Sequence, residues 1–190
     1  MNLPVPVAVG IWVALGLVLL LLVLTGRRRL ATRTRRVVPA PPAPPEAEGA
    51  LGATLLGPVE ATYVSSTLSG DWLARVGAHG LGDRSAAEVT VWSGGVVVDR
   101  AGGTPLLVPA AALRDVGTAP GMAGKYVGRD GLVVLTWEVP TDGATDAVVL
   151  DTGLRTRYRA DTPRLLETAR SLLTPSAPPH PSTPTTKDTK

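Results

Sequence analysis

The sequence predicts a mainly β fold with a C-terminal α-helix, a bent sheet or half-open barrel, preceded by one transmembrane helix. Three observations lead there. From Leu3 to Thr25 there is no ionisable side chain. Between Val59 and Leu150 short apolar runs alternate with polar residues and are broken by Gly-rich turns, the pattern of antiparallel strands. After Thr162 the apolar spacing changes to that of a helix face.

The first element is the apolar run. A helix of 23 residues rises roughly 34 Å, enough to cross a hydrocarbon core of about 30 Å. Arg27, Arg28, Arg29, Arg33, Arg35 and Arg36 follow, with no acid among them and no Lys or Arg before the run. Arginine-rich flanks stay on the cytoplasmic side. The expectation is a single-pass protein of the cell membrane, with its N-terminus outside and all that follows Arg27 inside. A cleaved secretory signal needs a basic segment before the run and a small-residue cleavage site after it; Met1–Pro4 and Thr25-Gly26-Arg27 supply neither.

Composition divides the rest. Residues 1–26 read as the anchor and 27–57 as an Arg-rich juxtamembrane segment with a Pro-rich linker. Residues 58–174 read as the domain, and 175–190, rich in Pro, Ser and Thr, as a disordered tail. The linker is expected to be extended and semi-rigid, lifting the domain clear of the membrane surface. The six arginines are candidate contacts for anionic lipid, or set topology alone. Residues 46–174 hold 11 basic against 15 acidic side chains, net −4, a poor balance for nucleic acid.

In order, strands are expected at Val59–Thr67 and Ala87–Trp92. Ser93-Gly94-Gly95 then turns into Val96–Arg100, and Ala101-Gly102-Gly103 into Leu106–Val108. A short helical turn follows at Ala110–Leu113. Gly131–Trp137 is the most apolar strand and Ala147–Leu150 the last. Thr162 is placed to cap a helix, Pro163 to open it and Pro175 to end it. Leu165, Leu166, Ala169, Leu172 and Leu173 share its apolar face. Six or seven strands without intervening long helices argue against a parallel sheet; the leucine face would plug one end of the bent one.

The chemistry-bearing residues are few. The chain has no Cys and two His, so it has no thiol nucleophile, disulfide or iron–sulfur site, and a zinc site is not expected. Asp151-Thr152-Gly153 resembles the loop of a retropepsin-type aspartic protease, but Leu154 stands where that family has Ala or Ser, and no second half follows. The expectation is a turn, with Gly153 at positive φ. Gly124-Lys125 lacks both the first Gly and the Ser/Thr of a P-loop. Arg155, Arg157 and Arg159 alternate, so an extended chain would point three guanidinium groups one way. They are either a patch for an acidic partner or a solvated edge that discourages strand pairing.

This order of elements resembles a pleckstrin-homology-like domain. Tyr63–Thr67, Gly70–Val76, Gly80–Arg84, Gly95–Arg100, Ala123-Gly124-Lys125, Leu135-Thr136-Trp137 and Asp151–Arg155 together resemble a family of actinobacterial single-pass proteins with a cytoplasmic PH-like domain. The resemblance implies a non-catalytic domain, no cofactor, and a gene neighbourhood of pyrimidine biosynthesis. It carries over no lipid-binding residues. The segment taken as the first hairpin, Val91–Val96, lacks the Lys and Arg by which eukaryotic PH domains hold phosphoinositides. The expected function is a membrane-anchored module that recruits or scaffolds a protein partner. The alternative is an accessory subunit of a transporter or envelope complex, with Gly10 and Gly16 giving the helix a close-packing face.

Overall fold

The computed structural model describes residues 4–47, 49–129, 131–140 and 147–173. Helix α1 runs Val5–Arg35, longer than the apolar run because the helix continues through the arginines. Its span Val9–Gly26 has a mean hydropathy of 2.6 and none of it is buried in the protein.

The strands are β1 Thr54–Leu68, β2 Ser85–Trp92, β3 Gly95–Arg100, β4 Leu106–Pro109, β5 Leu113–Ala119, the short hairpin β6 Gly121–Met122 and β7 Lys125–Tyr126, then β8 Leu132–Val139 and β9 Val148–Thr156. Helix α2 closes the domain at Asp161–Ser171. The main sheet is antiparallel, in the order β4-β3-β2-β1-β9-β8-β5. Two features were not read from the sequence. Strand β5 buries Leu113 and Val116 across a register shift at Leu113/Asp115, so its alternation is broken. The β6–β7 hairpin is two residues a side.

The topology forces the sheet to roll. Seven strands laid flat would hold their edges roughly 29 Å apart at about 4.8 Å per step. Yet edge strands β4 and β5 are joined only by the 3-10 turn Ala110–Ala112, and the four steps from Pro109 to Leu113 reach at most about 14 Å. The edges must therefore approach, and this turn packs against both β3 and β8. The result is the expected half-open barrel. Helix α2 packs on β1, β2, β5, β8 and β9, which places it as the plug. Leu165 and Ala169 are fully buried, while Leu166, Leu172 and Leu173 lie partly buried against the core.

Several local expectations change. Helix α2 begins two residues early, after Ala160, with no side-chain cap. The Thr162 hydroxyl instead bonds that of Thr156 at 2.6 Å. Asp151-Thr152-Gly153 is not a turn but the middle of β9, paired on both sides. Gly153 is needed for space: a Cβ there would come within 2.9 Å of Met122 Sδ. The Pro-rich segment does not stand clear of the domain. Val38 is buried in the core, and the Pro42 carbonyl accepts from Leu107 N at 3.3 Å, covering edge strand β4. On edge strand β5, Arg170 Nε of α2 donates to the Val116 carbonyl at 2.8 Å. Pro175 and the tail lie outside the described residues.

Leu165→Ala should cost about 2–5 kcal/mol, and Leu166→Ala, at a half-buried position, clearly less. Urea unfolding of the detergent-solubilised chain, followed by tryptophan fluorescence, checks the order. Equal losses would mean that α2 does not insert through Leu165.

Candidate functional site

Helix α1 meets the domain at one junction. The C-terminal part of α1 packs on the 3-10 turn Ala78–Gly80, which lies between β1 and β2. After Arg35 and Arg36, both exposed, the chain turns and Val38 enters the core at 1% exposure. His79 adopts a left-handed φ of 53° and places Nε2 3.1 Å from the Val38 carbonyl. A carbonyl only accepts, so Nε2 carries the proton. Gly80, also at positive φ, keeps the turn tight where a Cβ would strain it.

Arg100 organises the same junction from β3. It is 5% exposed. Its guanidinium donates to the carbonyls of Thr104 (2.7 and 2.9 Å), Gly80 (2.8 Å) and His79 (3.4 Å), and lies 4.9 Å from the centroid of the Tyr63 ring, within cation–π range. Around it opens a cleft of about 580 Å³, lined by Arg35, Pro41, His79, Arg100 and Thr104 among others. The structure thus places Arg35 at this cleft and Arg36 in solvent. The side chains of Arg27, Arg28, Arg29 and Arg33 lie outside the described residues, although their backbone is helical. Ser93-Gly94 joins β2 to β3. The connection between the first two strands is the longer segment 69–84, and it does carry basic residues, Arg75 and Arg84. The lack of Lys and Arg at 91–96 therefore does not describe the first hairpin.

Behind the junction runs a chain of buried hydrogen bonds. Trp137 Nε1 donates to Thr152 Oγ1 (2.9 Å), which lies 2.8 Å from Ser66 Oγ. Ser66 Oγ is 2.8 Å from the Tyr63 hydroxyl, which donates to the Leu81 carbonyl (2.7 Å). The indole only donates and the carbonyl only accepts. Each hydroxyl has one proton, so every proton in the chain points from β8 toward Leu81. Burial raises the Tyr63 hydroxyl from 10.0 to about 12, against the opposing pull of the Ser66 bond and the Arg100 charge.

The three C-terminal arginines are exposed but do not form one row. Strand β9 ends at Thr156, so only Arg155 projects from it, while Arg157 and Arg159 lie in the turn before α2. Arg157 pairs with Glu60 at 3.0 Å and lies 5.7 Å from the Tyr158 ring centroid. Arg155 and Arg157 border a shallow groove of about 710 Å³ with a floor of Ala61, Thr62, Ala86 and Ala87. Glu60, Glu88 and Asp99 stand opposite one another across β1, β2 and β3. Among the described residues, no three His, Asp or Glu come together as a metal would need. Asp151 accepts from the Thr136 hydroxyl at 2.7 Å within the sheet.

The fold now has its order of strands, its rolled sheet and its helical plug. The family model described as "Bacterial PH domain-like" matches residues 38–170. The chain belongs to that family. No curated protein matches it. The match begins at Val38, the linker residue buried in the core, so the PH-like domain takes in part of the segment read from sequence as linker. Sequence reasoning missed Val38, His79 and Arg100. Val38 hides among prolines, and His79 and Arg100 act through backbone carbonyls, which no motif encodes.

The raised Tyr63 hydroxyl makes an alkaline limit. A proton held more tightly in the folded state stabilises it fully below pH 10, and this contribution is lost as pH rises toward 12. Stability should fall by up to roughly 2–3 kcal/mol over that window. Tyr63→Phe should be less stable than the parent at neutral pH and show a shallower alkaline loss. Unfolding free energies measured from pH 8 to 12 check this. Parallel curves would remove Tyr63 as the titrating group.

Proposed function

We propose that this chain is a membrane-anchored, non-catalytic PH-like module that recruits or scaffolds a protein partner at the cytoplasmic face of the cell membrane. The observation that carries the reading is the junction. An apolar helix long enough to span runs into the domain, and Val38, His79 and Arg100 join the two without a free spacer. A domain held this way presents fixed faces to whatever lies at the membrane. The six arginines support the cytoplasmic orientation, and anionic headgroups would add about 1 kcal/mol for each Arg near the surface. The surface offered to a partner is the groove bordered by Arg155 and Arg157 on one side and by Glu60, Glu88 and Asp99 on the other, with Arg159 beyond it. The actinobacterial source and the pyrimidine-biosynthesis neighbourhood that the resemblance implies belong to this reading too.

A second reading, an accessory subunit of a transporter or envelope complex, draws on α1. Among the described residues, and apart from the helix's own backbone and the adjacent residues, nothing lies within 4 Å of where a Cβ would stand at Gly10 or Gly16, which leaves room for another helix to approach closely.

Crosslinking pull-downs from the native membrane, with and without residues 1–36, separate the two. The first reading expects partners to be retained by residues 37–190 and reduced by Arg155→Glu; the second expects them to be lost with the helix. A reporter fused after Lys190 should work only if that end is cytoplasmic. Activity in the exported compartment instead would overturn the localisation and the class of partner.

A further inference from the structure

The chain has four Trp, three Tyr and no Phe, and it leaves two of these aromatic residues exposed on neighbouring loops. Trp72 is 56% exposed, Leu73 60% and Tyr126 78%. Trp72 and Leu73 sit at the tip of the β1–β2 connection, and Tyr126 on the β6–β7 hairpin. The two loops are joined by a hydrogen bond from Ala123 N to the Trp72 carbonyl at 2.8 Å. The tip is braced from within: Asp71 Oδ1 accepts from Leu73 N (3.0 Å) and Ala74 N (3.2 Å), and Leu68 N bonds the Ala74 carbonyl. A braced loop that holds Trp and Leu in water has a cost that the domain's own packing does not recover.

The position of the tip names the occupant. The C-terminal end of β1, the start of β2, the end of β3 and the start of β4 lie at one end of the barrel, by their antiparallel registers. The anchor leaves from that same end, since α1 packs on Ala78–Gly80 and Pro42 holds Leu107 at the start of β4. From Gly26 to Arg35 the helix continues about 13 Å beyond its apolar span. From Ser66, bonded to Leu81 beside the helix contact, to Asp71 the chain spans up to roughly 16 Å. The loop thus has the reach to regain the depth that the helix loses. Trp and Tyr favour the membrane–water boundary, where one edge is apolar and the other wet, and Lys125 beside Tyr126 can lay its stem along apolar surface with its ammonium among headgroups.

We infer that Trp72, Leu73 and Tyr126 form a second membrane contact, which seats the PH-like domain on the bilayer in one orientation beside its own anchor. Tethering supplies the local concentration, so the contact acts even where the free domain would bind vesicles weakly. The inference rests on α1 spanning the bilayer and not on the identity of a partner.

The cysteine-free sequence allows a direct test. Full-length Leu73→Cys, Tyr126→Cys and Ala111→Cys are each labelled with an environment-sensitive fluorophore. Ala111 is exposed in the turn bonded to the β2–β3 loop, at the other end of the barrel. The proteins are reconstituted into phosphatidylcholine–phosphatidylglycerol vesicles. Probes at 73 and 126 should be quenched by spin-labelled acyl chains and protected from aqueous iodide, with the reverse at 111. Adding Trp72→Ser should abolish acyl-chain quenching at 126. Iodide access at 73 and 126 equal to that at 111 would overturn the inference. So would iodide protection without acyl-chain quenching, which would mean that protein covers the patch, or quenching at 126 that survives Trp72→Ser. Failure of the chain to float with the vesicles would remove the anchor and the inference together.

Discussion

The directional chain of hydrogen bonds from Trp137 to Leu81 is the constraint on which the rest of the structure depends. It crosses β8, β9 and β1 and ends in the segment that packs against α1. Each bond contributes only about 0.5–1.5 kcal/mol net, but a buried partner left unpaired costs about 1–3 kcal/mol. Because each hydroxyl has one proton, losing any member leaves another unsatisfied further along. The arrangement therefore admits one register of β1 against β9. That register in turn sets Tyr63 beneath Arg100, Arg100 against Gly80 and His79, and His79 against Val38. The position of the apolar helix α1 is specified from inside the core.

A second constraint is closure. An antiparallel sheet with free edges invites another strand, and this one removes both invitations with parts that serve other ends. The linker carbonyl of Pro42 occupies β4, and Arg170 of the plug helix occupies β5. The Pro-rich segment after α1 is thus part of the domain's edge protection as well as its link to the helix. Removing it would expose a strand as well as detach a helix.

How much of this could be read in the sequence follows from the physics of each part. The barrel and its plug were legible because burial writes them as periodicity: Val89, Val91, Val96 and Val98 alternate, and Leu165 and Ala169 recur at helical spacing. The apolar helix was legible by length and charge alone. Strand β5 was not, because its bulge breaks the alternation. Asp151-Thr152-Gly153 misled for the opposite reason. Its residue types belong to turns, but Thr152 is required as a hydrogen-bond relay and Gly153 as a gap for Met122, and tertiary contacts override local preference. The candidate site was the least legible. Arginines at 155, 157 and 159 suggest a row, but the row exists only while the chain stays extended, and β9 ends at Thr156.

The outer face of the sheet carries a further tension. Glu60, Glu88 and Asp99 are cross-strand neighbours, and like charges placed directly opposite destabilise a sheet. Among the described residues, only Glu60 of the three has a counterion, an exposed Arg157 whose pair with it is worth little. A mixed arrangement of Lys and Glu would hold the same strands together better. The acidic row therefore costs the sheet stability rather than adding to it. A groove that is acidic on one side, basic on the other and floored by small residues suits an extended segment carrying both signs of charge, whose desolvated ends would find partners that the free domain lacks. If α1 spans a bilayer as proposed, the junction holds that face at a constant angle to the membrane, so a partner docked there would be oriented as well as retained.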